Sequence, residues 1–519
     1  MFGHDLRSRS LISGAILSAV LGLAAAPASA DVSLYEQGGL KIDGAFTGGV
    51  TLFTSPGAQF GAGSWNNNVG VPGKRVTGHS NWSETFLHPE LKASYETEEY
   101  GTFYGDVSGQ FTMTGGHGDP SLISTTYGRP WMVELENLYG GWKSGKTLVG
   151  LGLDENGLDL SGGRQSFRVA DGFLISNGTA NQGKRGMYWT QSRTAFAQTG
   201  VAKLSSDNLR GDLFYLQNNS QNSVMQPGLF DNAKTRVIGG NIEIFGNVDK
   251  VEGKPAPDGA SNYADRKWYG GMTVFRVASA DSNGVYGYNG TQTNYTVTNT
   301  PSSARDGMTV FSFHIGGNPL PTLPDFSIYG NAVKENNNTR NAKVDANAYY
   351  IEPGYQLSDV LWTPKLSYRY AHFSGDKNPN DDKKEAYDPF FYNAITRGFG
   401  TWFIGEIVGN YVIGNSNVNI HQLTFSVNPL DTVKLSVLAY NYQYAAKTQL
   451  TGVRSADLAR EIDFAAEWTI SDNVALSAAF GAAKAGRGYK QNVSTNSSPA
   501  GLPMDKTWLL GETSLVVKF

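Results

Sequence analysis

The feature that most limits what this chain can fold into is an alternation of apolar and polar residues that recurs, in segments of about ten, from one end to the other. Period two marks a strand with two unlike faces, because successive side chains point to opposite sides of a sheet. Residues 507–519 show it most plainly: Leu509, Gly511, Thr513, Leu515, Val517 and Phe519 fall on one face, Glu512, Ser514 and Lys518 on the other. Residues 460–470 set Ile462, Phe464, Ala466, Trp468 and Ile470 against Glu461, Asp463 and Glu467. Residues 102–113 set Phe103, Val107, Phe111 and Met113 against Tyr104, Asp106, Ser108 and Gln110. Eighteen strands are expected, near 40–53, 85–96, 102–113, 133–142, 148–167, 194–204, 208–217, 235–245, 267–279, 308–316, 325–333, 344–355, 365–373, 417–427, 432–444, 460–470, 473–484 and 507–519.

Alternation alone fits a soluble sandwich or a membrane barrel equally well. The links decide between them. Short turns follow the even strands, at 97–101, 143–146, 205–207, 318–324, 357–364, 428–431 and 471–472, whereas long Gly/Asn/Asp-rich loops follow almost all the odd ones. A sandwich has no reason to sort loop lengths by parity. A closed antiparallel transmembrane β-barrel does, with short periplasmic turns and long extracellular loops. The exception is the link 246–266, GNVDKVEGKPAPDGASNYADR, which reads as a periplasmic excursion or a slip of register. Lipid cannot satisfy a free strand edge, so the first and last strands must meet. About eighteen strands then enclose an aqueous lumen.

Composition agrees. Glycine supplies 63 of 519 residues, about 12% against a usual ~7%, and aromatics supply 12%. There is no cysteine, which excludes disulfide scaffolds, thiolate metal sites and Cys nucleophiles. No run of 18 apolar residues follows the N-terminal region, so spanning helices are not expected. Residues 1–30 read as a secretory signal, with Arg7 and Arg9, an apolar stretch from Leu11 to Ala26, and Ala28-Ser29-Ala30 as the cleavage site. The barrel, one domain, would be 31–519, in the bacterial outer membrane. Removing Asp5, Arg7 and Arg9 takes 42 basic and 46 acidic residues to 40 and 45, a balance that does not suit nucleic acid. The expected partners are the lipid bilayer, a small hydrophilic solute or polysaccharide, and the barrel assembly machinery, for which a terminal aromatic such as Phe519 is an insertion feature.

Catalytic patterns are absent. His88, His117, His314, His372 and His421 are scattered without metal-ligand spacing, and no G-x-S-x-G occurs. No enzyme activity, metal or cofactor is expected. The acidic run Asp154 to Asp159 lacks a full calcium series and reads as a turn. Parity points Lys41, Asp43, Glu90, Lys92, Asp106, Glu134, Glu136, Arg210, Asp212, Asp345, Lys365, Arg369, Glu461, Asp463, Glu467 and Glu512 inward, a mixture of both signs. Candidate constriction residues are Arg164, Arg168, Lys365, Arg369, Arg397, Glu461 and Asp463. Two loops stand out: residues 164–193, basic and aromatic, and residues 376–415, too apolar to float in water. The second is expected to fold into the pore, with Tyr387, Asp388, Pro389 and Phe390 as its plug; the alternative is an extra amphipathic hairpin that would change the strand count.

Two segments carry a family resemblance. LDLSGGRQSFRVADGFLIS, with Gly163-Arg164-Gln165 and Asp171-Gly172, resembles the Gly-Arg-Gln and later Asp-Gly segment of the alginate export family of outer-membrane barrels. Tyr387-Asp388-Pro389-Phe390-Phe391, followed by NSNVNIHQLTFSVNP, is similar to that family's aromatic-Asp-Pro element and next strand. The resemblance implies an eighteen-stranded barrel that passes a solute passively while loops gate the pore. Its polysaccharide exporter has a strongly basic constriction, whereas the inward set here is mixed. The resulting expectation is a porin for small solutes such as sugars or organic acids, with alginate-like export as the alternative and a barrel-based enzyme or adhesin as a lesser one.

Overall fold

The computed structural model describes residues 31–62, 78–120, 126, 130–176, 178, 186–187, 189–190, 193–206, 208–218, 220–221, 232–246, 266–280, 304–339, 342–392, 404–496 and 504–519. Eighteen antiparallel strands close on themselves. In chain order they are β1 (Leu40–Pro56), β2 (His79–Thr97), β3 (Gly101–Gly116), β4 (Trp131–Lys143), β5 (Leu158–Gln165), β6 (Phe196–Ser206), β7 (Leu209–Gln217), β8 (Thr235–Phe245) and β9 (Trp268–Ala280). The second half holds β10 (Thr309–Gly317), β11 (Phe326–Thr339), β12 (Ala342–Gln356), β13 (Lys365–Phe373), β14 (Val418–Leu430), β15 (Val433–Tyr444), β16 (Asp457–Ser471), β17 (Val474–Ala485) and β18 (Trp508–Lys518). Each pairs with the next, and β18 pairs with β1 from Thr47 to Thr54. Inside this seam Thr51 donates to Ser514 at 2.8 Å, and Phe46 and Phe519 exchange backbone bonds at 2.7 and 2.8 Å.

Alternation sorts the two faces as a membrane demands and water does not. On β3, Phe103, Val107 and Met113 are exposed while Asp106, Ser108, Gln110 and Thr112 are buried. On β16, Ile462, Phe464 and Trp468 are exposed while Glu461 and Asp463 are buried. A water-soluble sheet packs its apolar face inward. Here the polarity is inverted, which is stable only with hydrocarbon outside.

All eighteen expected strands are present, with three local differences. A further strand, Val32–Gln37, turns back on β1 through Gly38 and Gly39, both at positive φ (61° and 81°), as a two-residue hairpin turn requires. It pairs with Leu40 to Gly44, the stretch of β1 that β18 does not reach, and so covers a bare edge. Second, β5 begins at Leu158 rather than 148. Residues 144–157 instead form a turn containing the 3-10 segment Val149–Leu151, because Gly145 and Gly152 lie at positive φ and Asn156 at 60°. The acidic run enters this turn through Gly157 N–H to Asp154 C=O at 2.8 Å. Third, β11 and β12 continue beyond the neighbouring rim to a link of only two residues, 340–341. Val344, Ala346 and Ala348 take the inner face there, so Asp345 points outward, paired with Lys334 and Lys383, and not into the lumen as expected. The other links keep their segregation, and most of 246–266 lies outside the described residues.

Candidate functional site: loops folded into the lumen

The first loop leaves β5 at Gly163. Its φ is 128°, and a Cβ there would lie 2.4 Å from the Leu138 carbonyl oxygen, so glycine alone permits the bulge at which the chain turns inward. Arg164 donates from Nε to Leu135 C=O at 2.9 Å and lies 3.8 Å from Glu136, and Gln165 donates to Thr199 at 2.7 Å. The Gly-Arg-Gln triplet is thus the root of the loop. Beyond it Phe167, Val169, Phe173, Leu174 and Ile175 are buried inside the barrel, and Arg168 is half-buried. Asp171 and Gly172 make the reversal: Gly172 has φ 80°, and Asp171 accepts from Phe173 N–H at 3.2 Å and from the Tyr350 hydroxyl on β12. The Phe173 ring lies 5.2 Å from Tyr350 and 5.7 Å from Phe373. Strands β5 and β12 are seven positions apart in a ring of eighteen, so this loop crosses the lumen.

There it meets the second loop. Ile175 and Phe391 form a parallel bridge, with Ser176 N–H to Phe391 C=O at 2.9 Å. The aromatic-Asp-Pro element is fixed from several sides. Asp388 accepts from Arg305 at 2.5 Å through both oxygens, and its N–H donates to Glu335 on β11 at 3.1 Å. The Arg305 guanidinium also lies 4.6 Å from the Phe390 ring. Tyr387 is buried beside Phe373, and burial pushes its hydroxyl well above the usual tyrosine range. Pro389 follows, and its carbonyl accepts from Tyr392 N–H at 3.0 Å. Arg397 lies outside the described residues.

Further along the same loop, residues 404–413 lie against the β15–β18 wall. Ile407 and Val408 donate their N–H groups to the two oxygens of Glu461 at 2.7 Å each, and Glu406 N–H donates to Asp463 at 3.1 Å. Tyr442 on β15 donates to Ile404 C=O at 2.6 Å. Gly405 has φ 111°, and a Cβ there would sit 1.9 Å from the Tyr442 hydroxyl oxygen. Tyr411 packs between Trp189 of the first loop, at 4.3 Å, and Trp508. The Glu406 carboxyl is buried, and desolvation, with Glu512 and Glu461 adding to it, pushes its pKa well above the carboxylate range.

A common device holds both loops. Inward carboxylates of the wall accept main-chain N–H groups of the loops: Glu84 from Trp189 and Thr190 at 3.0 and 2.9 Å, Glu136 from Thr194 and Ala195 at 2.7 and 2.8 Å, and Glu335, Glu461 and Asp463 as above. A carboxyl oxygen accepts, so it suits the unpaired N–H groups of an irregular segment, and each such bond contributes roughly 0.5–1.5 kcal/mol. Arg193 balances Glu136, at 2.8 Å, and Glu134; burial lowers its pKa to about 10, and it stays charged at neutral pH. Glu84, Glu335, Arg305 and Tyr442 were not singled out in the sequence. Their partners lie 38 to 106 residues away, and no local pattern encodes such pairs.

Toward the end that carries the short turns several inner-face ion pairs keep solvent contact. Lys41 and Asp43, Lys92 and Glu90, and Lys434 and Glu467 pair at 2.8, 3.2 and 3.2 Å, with lysine side chains 46, 34 and 31% exposed. Lys365 is half-buried on the inner face of β13, two turns of the pleat below Arg369, which is held by Glu352 at 2.6 Å. A second network, fully buried, joins Arg210 to Asp212 at 2.9 Å and Glu243 to Arg266 and His314 at 2.8 and 3.0 Å.

A closed barrel of inverted polarity, narrowed at one end by its own loops, has the architecture of a transmembrane channel. The family described as Alginate export matches residues 257–502, a little under half of the chain. That stretch includes Tyr387 to Phe391 and the strand after it, whereas the Gly-Arg-Gln segment precedes it. No curated protein matches the sequence. Among solved structures the chain is similar in fold to a BenF-like porin from Pseudomonas fluorescens Pf-5, at 10% identity and TM-score 0.51, with 92% of this chain and 98% of that one covered. It is also similar to Acinetobacter baumannii OccAB2, at 10% identity, TM-score 0.50 and coverage of 92% and 97%. Pseudomonas aeruginosa OccK5 (OpdH) gives 8% identity, TM-score 0.50 and coverage of 92% and 98%. The fold is that of the eighteen-stranded porin-type barrels.

Proposed function

We propose that this chain is an outer-membrane channel through which small hydrophilic solutes such as sugars or organic acids diffuse, with selectivity set by the two loops folded into its lumen. The observation that carries the reading is the inverted barrel itself: apolar side chains outside, charged and hydroxyl side chains inside, and two loops that meet across the interior at Ile175 and Phe391. In this reading the short turns are periplasmic, the long loops extracellular, residues 1–30 a cleaved export signal, and no side chain acts as a catalyst. Lys365, Arg369 and the residues around Arg164 and Arg168 line the path, while Glu461 and Asp463 set its width by holding residues 404–413.

Secretion of an anionic polysaccharide is supported by the family match and opposed by the lumen charges. Arg164, Arg193, Arg210, Arg266, Arg305 and Arg369 each lie within 4 Å of a carboxylate, so these guanidinium groups offer no unneutralised basic track. The test is planar-bilayer conductance of the refolded 31–519 chain, with liposome swelling in small sugars and in oligosaccharides. Discrete channels and size-limited swelling are expected. Absence of conductance both in this chain and after deletion of 376–415 would sink the channel reading.

A further inference from the structure

The outer wall carries a second feature that the channel does not use. Tyr370, His421, Asn441, Arg460 and Lys484 are consecutive cross-strand partners on β13 to β17, and so form one horizontal row. The row lies on the outward face, near the end that carries the long loops, where the apolar band stops. Arg460 and Lys484 sit directly opposite one another and both are exposed, Arg460 by 75% of its side chain. Like charges in that position destabilise a strand pair. The nearest acid to Arg460 is Asp457 at 3.9 Å, and Lys484 has no ion pair among the described residues.

Four residues further into the apolar band, on the same face of the same strands, stand Phe425, Val437, Phe464 and Phe480, about 13 Å below the row. Phe464 pairs with Phe480, and beneath them Ala466 pairs with Ala478. The two alanines leave a groove of about 760 Å³ across β14 to β18 and β1. On β3 and β4, by contrast, the outward pairs Phe111–Val133 and Val107–Leu138 are filled by large side chains. A basic row above an apolar groove has the shape of an amphiphile with an anionic head.

We propose that this face of β14–β18 binds a phosphate-bearing lipid of the surrounding leaflet, its phosphate held by Arg460 and Lys484 and its acyl chains seated over Ala466 and Ala478. The barrel places the groove in hydrocarbon, and each basic residue at the lipid surface adds attraction for an anionic head group. A second copy of the chain is the poorer occupant: a two-fold contact through this face would set the two basic rows against each other. The inference rests on the outer-membrane reading above, which makes the ligand a phosphorylated glycolipid of the outer leaflet.

The experiment uses the full mature chain in detergent, with purified lipid A as probe, phosphatidylethanolamine as the low-charge control and inorganic phosphate as competitor. Arg460→Gln with Lys484→Gln should weaken lipid A binding about tenfold or more. Ala466→Leu with Ala478→Leu, which fills the groove and keeps the charges, should weaken it severalfold. Both should leave single-channel conductance unchanged, and that conductance verifies the fold of each variant. Binding by the glutamine variant within twofold of the parent would overturn the proposal. So would full displacement by an equal concentration of inorganic phosphate, or a dimer cross-linked through Ala478→Cys that persists in lipid A. Lipid A binding by a parent chain that conducts no ions would instead count against the channel reading and leave the lipid site standing.

Discussion

The two loop segments that narrow the lumen are held by different physics. Where residues 166–176 meet 385–392, the hold is mainly ring packing: Phe173 on Tyr350 and Phe373, Phe391 on Phe196, and Phe390 on Phe275. Where residues 404–413 meet the wall, it is three main-chain N–H groups on two carboxylates. The first contact spans the barrel, and its loop acids Asp171 and Asp388 are tied to Tyr350 and Arg305. The second lies along one wall and places Glu406 beside Glu461, Asp463 and Glu512. The barrel therefore combines a contact held largely by rings with a segment docked on buried acids, and the second is expected to respond to pH.

The largest difference should come from removing the wall acceptors. Glu461→Ala with Asp463→Ala leaves three N–H groups without partners, at a cost on the order of 5 kcal/mol to docking of 404–413. Single-channel conductance should rise severalfold and the segment should become cleavable by added protease, while the ring contact stays protected. Phe173→Ala attacks the other side. It should cost about 3 kcal/mol, read as a lower unfolding temperature, with pore noise increased but no new cleavage at 404–413. Equal effects of the two variants on both readouts would erase the distinction.

A pH series sharpens it. Docked, Glu406 holds its proton more tightly than an exposed glutamate, whose ordinary value is 4.5. Docking is then fully favoured below that value and weakens as pH rises from it through the raised pKa of Glu406. The groups facing Glu406 are Glu461 and Asp463 on β16 and Glu512 on β18, all of one sign. Conductance should increase with pH, and Glu406→Gln should flatten the profile; an unchanged slope would remove Glu406 from the account. The smallest effect is expected at the end that carries the short turns, where Lys365→Glu should shift the reversal potential modestly toward cations without altering conductance. A shift as large as that from opening the 404–413 segment would place the narrowest point at β13 instead.

Legibility followed the range of the interaction. A strand with one apolar face declares itself within ten residues, and the eighteen strands were readable for that reason, as was an even count with segregated link lengths. Local pattern and chain conformation part at two places: at 148–157, where glycines break an alternation that looks continuous, and at Asp345, where the alternation runs on but apolar Val344, Ala346 and Ala348 take the inner face and the polar residues the outer one. The strand Val32–Gln37 escaped because the reason for it is an edge that β18 leaves bare, and that edge exists only once the barrel is closed. The two loops could be marked as too apolar for water, but their contacts could not be listed.

By itself, then, the sequence determined the class of fold, because period-two polarity and solvent matching are local. It also marked residues 376–415 as too apolar for water, with the lumen as the expected destination. Only the tertiary structure decided what holds it there. Glu461 and Asp463 read as pore charges in the sequence, yet both their carboxylates accept N–H groups from residues 53 to 57 positions away. An acid on an inward face has the same local signature whether it meets water or a folded-in loop, and closure of the chain alone settles which it meets.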